Sequence, residues 1–167
     1  MKDGLVLKVG DRVVRYGRVL KVFQIKNEMV YFQPNFTSPS NNSLTYQVSA
    51  KNVHASNIRK VVSKKELQQL FKSILSQPAE LGSINSMEVR LSLTNNDLTE
   101  TLKALKNLWL ERIGKTASLA SGKLSIYQQA LEQATEEVAA VKNVALDKAK
   151  QAIMYALKAG GKAEPAE

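Results

Sequence analysis

Apolar and polar residues alternate in short runs from Arg12 to Val48, and turn-favouring residues separate the runs. Arg12-Val13-Val14-Arg15-Tyr16 is followed by Gly17. Arg18-Val19-Leu20-Lys21-Val22-Phe23-Gln24-Ile25-Lys26 then alternates with one slip, where Val22 and Phe23 are both apolar. A slip of that kind is what a β-bulge produces in a strand. Asn27-Glu28 predicts a tight turn into Met29-Val30-Tyr31-Phe32-Gln33, which completes a hairpin. The stretch Pro34 to Ser43 holds Pro34, Asn35, Pro39, Asn41 and Asn42 and predicts a mobile loop, after which Leu44 to Val48 alternates as a last long strand. Short strands with short links predict a small barrel of SH3-like or Tudor-like type, closed so that few backbone groups go unpaired. Tyr16, Phe23, Tyr31, Phe32 and Tyr46 fall in these strands, and most are expected in the barrel interior.

The period changes at Ser63. Ser63-Lys64-Lys65-Glu66 is a capping box, in which the Ser63 hydroxyl accepts from the Glu66 amide and the Glu66 carboxylate reaches back to Ser63. Leu67, Leu70, Phe71, Ile74 and Leu75 follow at helical spacing, and Pro78 lies beyond the end. After a linker-like stretch from Ala79, a short helix is predicted from Ser86 to Leu93. Asn95-Asn96 ends it, and Asn96 is expected to cap the next helix, whose Leu98, Leu102, Leu105, Leu108 and Trp109 form one face. Gly114 to Gly122 reads as a turn with Ser121 as the following cap. Leu124, Tyr127, Leu131, Ala134, Val138 and Val141 then recur in steps of three and four, as bundle packing requires. Asn143 either breaks this helix from a last one carrying Leu146, Ala149, Ile153 and Leu157, or a single helix runs through. The predicted fold class is α+β: a barrel over 1–62, an all-α helical domain over 63–159 and a disordered tail over 160–167.

Charge adds a direction to this plan. The net charge of +9 is concentrated in residues 1–62, where ten Lys and Arg face three acids, a balance of +7. A basic barrel on a nearly neutral helical domain suits an acidic protein surface or a phosphate backbone. The chain has no cysteine, which removes disulfides, thiolate nucleophiles and Cys-ligated zinc and fits a reducing cytoplasm. No signal-like h-region opens the sequence and no apolar window approaches a membrane span, so a soluble, unprocessed, cytoplasmic protein without membrane contact is expected.

Chemistry is hard to build from these residues. His54 is the single histidine and has no acidic neighbour within six residues, so it is expected as a surface or barrel-edge residue and not as a metal ligand or general base. Glu136-Glu137 reads as a charged helix face. Gly160-Gly161 follows no strand, so it is no phosphate cradle. Trp109 lies one step beyond Leu108 on a leucine-lined face and is expected in the core. No catalytic residue, metal, cofactor or small-molecule substrate is expected, and the chain reads as a recognition protein and not as an enzyme.

Three motifs are similar to one known family. Lys8-Val9-Gly10-Asp11-Arg12-Val13-Val14 with Gly17, the strand Leu44-Thr45-Tyr46-Gln47-Val48-Ser49-Ala50-Lys51-Asn52, and the hinge Ile58-Arg59-Lys60-Val61-Val62-Ser63 resemble the RNA polymerase-interacting domain of CarD-like bacterial transcription regulators, a domain shared with the transcription-repair coupling factor. Lys103-Ala104-Leu105-Lys106-Asn107-Leu108-Trp109 and Ala120-Ser121-Gly122-Lys123-Leu124 with Glu137-Val138-Ala139 extend the resemblance through the helical half, which favours the stand-alone regulator.

The resemblance implies that the barrel docks on the polymerase β subunit. It also implies that the helical domain touches the upstream edge of promoter DNA, where the family inserts a tryptophan into the minor groove and stabilises the open complex. By resemblance the docking strand is Leu44 to Val48, with Thr45 and Gln47 in it; because Gln47 stands where the family has an arginine, the polymerase contact is expected to depend more on Arg18, Lys26 and Lys51. The candidate DNA-binding residues of this chain are Ile84, Met87, Arg90 and Lys123, with Arg90 expected on phosphate. Two positions depart from the family: Gln47 replaces an arginine, and no tryptophan precedes the helix at 86–93, leaving Ile84 and Met87 as apolar wedges. The alternative reading is a polymerase-binding adaptor without intrinsic DNA binding.

Overall fold

The computed structural model describes residues 6–36, 44–76, 86–113 and 121–162. Strands β1 (Arg12–Arg15), β2 (Arg18–Lys26), β3 (Met29–Pro34), β4 (Tyr46–Ser49) and β5 (Ile58–Lys60) precede helices α1 (Lys64–Leu70), α2 (Ser86–Thr94), α3 (Leu98–Ile113), α4 (Ser121–Lys142) and α5 (Leu146–Lys162). The strands form one antiparallel sheet in the order β4-β3-β2-β1-β5, curled into a half-barrel whose outer strands are β4 and β5. The fold is therefore α+β, with an open curled sheet where a closed ring was expected. Between β4 and β5 the chain makes two 3-10 turns, Ala50–Asn52 and His54–Ser56, and Val53 between them is buried in the sheet core.

Both hairpin turns are written in the sequence. Tyr16 and Gly17 have φ of 50° and 79°, and Asn27 and Glu28 have φ of 52° and 62°, the double left-handed geometry that matches strand twist in a two-residue turn. The bulge lies where the alternation slips, between Val22 and Gln24. Inside the curl, Val13, Leu20, Val22, Val30, Phe32, Val53 and Ile58 form a compact core. On the other side of β1 and β2, Val14 and Val19 pack on Ala140 of α4, so the sheet is sandwiched between its own core and the helices.

The helical half begins as expected: Ser63 Oγ accepts from the Glu66 amide at 3.1 Å, and the Glu66 carboxylate accepts from the Ser63 amide at 3.3 Å. After Leu70 the helix widens into a π turn over Phe71–Leu75. Trp109 is buried with Leu102, Leu105, Leu108, Ile153 and Leu157 in the bundle core. Asn143 takes a left-handed φ of 56° and separates α4 from α5. Helix α5 runs through Gly160-Gly161 to Lys162, so the tail boundary expected at Gly160 moves, and 163–167 lie outside the described residues. The loop expected over Pro34 to Ser43 is described only as far as Phe36, with Pro34 still in β3.

Asn96 does not cap α3. Its neighbour does: Asp97 Oδ1 accepts from the Thr99 amide at 2.8 Å. Asn96 instead has a left-handed φ of 56° and turns its side chain into the sheet junction.

Candidate docking edge and helical face

Strand β4 has a hydrogen-bonding partner on one side only, β3, because it is the last strand of the described sheet. The segment leading into it is open to solvent: Leu44 and Tyr46 are 45% and 37% exposed, and Thr45 and Gln47 are exposed. Behind it, Gln47 pairs with Tyr31, and Tyr31 pairs with Gln24 on the same face. The bulge swings Phe23 out to meet Tyr31, with ring centroids 6.2 Å apart and planes tilted by 54°. Of the five strand aromatics, most of them expected inside, Phe32 alone is buried. Tyr16, Phe23 and Tyr46 are exposed and Tyr31 is half-buried, because three of the four stand at turns, bulges or the sheet edge. Two consecutive apolar residues at a bulge are the signal that one of them faces outward.

Four of the five residues expected at a polymerase surface share one region. Thr45 and Gln47 lie on the edge strand and its approach. Lys51 follows in the 3-10 turn, and the Ala50 amide donates to Glu28 O at 2.8 Å, which ties that turn to the end of the hairpin where exposed Lys26 lies. Arg18 is elsewhere. It starts the nine-residue strand that Lys26 ends, roughly 25 Å away at about 3.3 Å per residue, and its Nε contacts Glu136 Oε2 at 3.0 Å on α4.

On the helical side, Met87 and Leu91 are 71% and 60% exposed one turn apart on α2. Arg90 is exposed between them and reaches the start of α4, its Nη2 4.0 Å from where a side chain at Gly122 would begin. Lys123 is committed differently: its Nζ contacts Glu111 Oε1 at 2.8 Å, so much of its charge is neutralised within the bundle. Ile84 lies outside the described residues, as does the His54 side chain.

Between these two regions lies a buried polar junction that the sequence pattern did not reveal. Glu136 and Glu137, expected on a solvated face, are 8% and 2% exposed. Glu137 accepts a two-pronged pair from Arg59 Nη1 and Nη2, each at 2.7 Å, and a third bond from the Val62 amide at 2.9 Å. Asn96 Nδ2 donates to Val14 O and Asn57 O, each at 2.9 Å. Burial raises the Glu136 pKa above the usual carboxylate range, while Arg18 and a bond from the Val19 backbone pull it back and Glu132 adds to the rise. Each bond joins the sheet or the residues flanking β5 to the helical half, so the two are fixed relative to one another.

Among the described residues no cluster of His, Cys, Asp and Glu is placed to hold a metal ion, and no helix is long and apolar enough to cross a membrane. No protein-family model matches the chain, and no curated protein matches it.

Proposed function

We propose that the chain is a CarD-like transcription regulator, whose curled sheet, an open form of a Tudor-like barrel, adds its edge strand to the β subunit of a bacterial RNA polymerase. Its helical half then lies beside the promoter bubble and stabilises the open complex. The observation that carries the reading is β4: an exposed edge strand offers main-chain hydrogen bonds for strand addition, with neighbouring side chains for specificity. The outward Phe23–Tyr31 pair and the basic residues Lys26 and Lys51 supply an aromatic and a charged rim beside it. The polar junction supports the second half of the reading, because a docked sheet would set the position of α2 with its Met87, Arg90 and Leu91.

Co-purification tests the polymerase contact. The tagged chain should retain the β subunit, and charge reversal at both Lys26 and Lys51 should release it; a polymerase that never co-purifies would end the proposal. A second reading, the adaptor without DNA binding, is favoured by the Lys123–Glu111 pair, which leaves Arg90 as the main cation of the helical face. Binding to forked promoter DNA over a salt series separates the two. A slope near −1 or steeper in log affinity against log salt supports phosphate contact, and no binding at low salt supports the adaptor.

A further inference from the structure

A groove of about 470 Å³ runs between α1 with its π turn and the C-terminal end of α4, lined by Lys64, Leu67, Phe71, Lys72, Ser76 and Lys142. Its chemistry is one-sided. Leu67 and Phe71 give an apolar floor, three lysines stand around it, and among the described residues no carboxylate lines it. Lys142 Nζ is 5.2 Å from the centre of the Phe71 ring, a cation–π contact that holds an ammonium over the groove. The wall owes its shape to the π turn, in which the Ser76 amide donates to Phe71 O at 2.9 Å across five residues. Such widened turns recur at functional sites. Beneath it, the buried Lys106 ammonium donates to Ile74 O and so supports the end of that turn, at the cost of a pKa lowered by burial.

We propose that this groove docks a segment of a partner protein in which an apolar side chain is flanked by aspartate or glutamate. Charge complementarity selects the flanks: the Lys64 and Lys142 ammonium groups attract carboxylates and repel basic segments. The floor selects the anchor, since Leu67 and Phe71 offer apolar contact. Two other occupants fit less well. The groove is partly open to solvent, whereas sites for free small molecules enclose about 70–90% of their ligand. Single-stranded nucleic acid stacks successive bases on several aromatic faces, and among the described residues Phe71 is the one aromatic side chain lining the groove. Lys64 on α1 and Lys142 at the end of α4 stand on the two walls of the groove, so carboxylates on either side of one anchor residue each have an ammonium to meet. The groove shares no residue with the sheet, so the proposal stands apart from the polymerase reading.

The test uses the full chain against a synthetic peptide array in which acidic residues flank a Leu, Phe or Trp anchor, with anchor-to-Ser and acid-to-amide controls. Peptides with both features should bind, and in the ¹⁵N-labelled protein their signal shifts should centre on 64–76 and on Lys142. Lys64→Glu and Lys142→Glu should each weaken binding about tenfold while the circular dichroism spectrum stays that of the folded protein. An array without binders, equal binding of acid-to-amide controls, affinity untouched by both variants, or preferential binding of a single-stranded oligonucleotide would each overturn the proposal.

Discussion

Asn96 shows what one residue does at the junction. It is 7% exposed in a left-handed conformation that asparagine tolerates better than most residues, and its amide satisfies the carbonyls of Val14 and Asn57. Asn96→Ala leaves both carbonyls without that partner and adds backbone strain, so urea unfolding should show a loss of about 3 kcal/mol. Asn96→Gly removes the bonds but not the left-handed preference, and should recover part of the loss. Glu136 gives the pH counterpart. Between the ordinary glutamate value, about 4.3, and its raised folded value, the folded state keeps a proton that the unfolded chain has released. Stability contributed by this group is therefore greatest below that window and falls as pH rises through it. In Glu136→Gln the corresponding slope of unfolding free energy against pH should disappear; an unchanged slope would assign it to another group. Neither role was legible locally. Asn95-Asn96 correctly marked a boundary, but the partners of Asn96 lie 82 and 39 positions away, and Glu137 meets Arg59 across 78 positions.

At the level of single elements, the β1–β2 turn binds sequence to packing. Gly17 has φ +79°, and a side chain there would start 2.2 Å from Gln133 Cδ on α4. Gly17→Ala therefore carries two penalties, backbone strain and collision, and should cost about 2 kcal/mol. Gln133→Ala removes the collision alone, so a double-mutant cycle should return a coupling of about 1 kcal/mol, and strict additivity would refute the contact. Strands β1 to β3 and the start of α1 were readable because alternation, two-residue turns and the capping box are local signals. β5 escaped because three residues, Ile58–Lys60, carry too little pattern and were read as a hinge. The curled sheet stayed open for a related reason: the segment before β5 coils into 3-10 turns and fills the mouth with Val53 instead of pairing.

For the whole molecule, the clamp between Arg59 and Glu137 makes the sheet and the helices one mechanical unit. Glu137→Ala strands the guanidinium of an arginine side chain that is only 29% exposed and should cost about 3 kcal/mol, with faster amide exchange in β1 and β5 before the bundle core opens. Arg59→Lys should cost less but not nothing, since an ammonium cannot make the two-pronged pair. The two-part plan and its basic first part were legible in composition; how the parts are joined was not, because burial of Glu136 and Glu137 depends on which strand lies against α4. The edge strand has a consequence of its own. Tyr46–Ser49 carries neither lysine nor proline, the usual deterrents to unwanted strand pairing. Two copies meeting along this margin can zip together, so crowding should favour self-association, and Gln47→Lys should keep the protein dispersed.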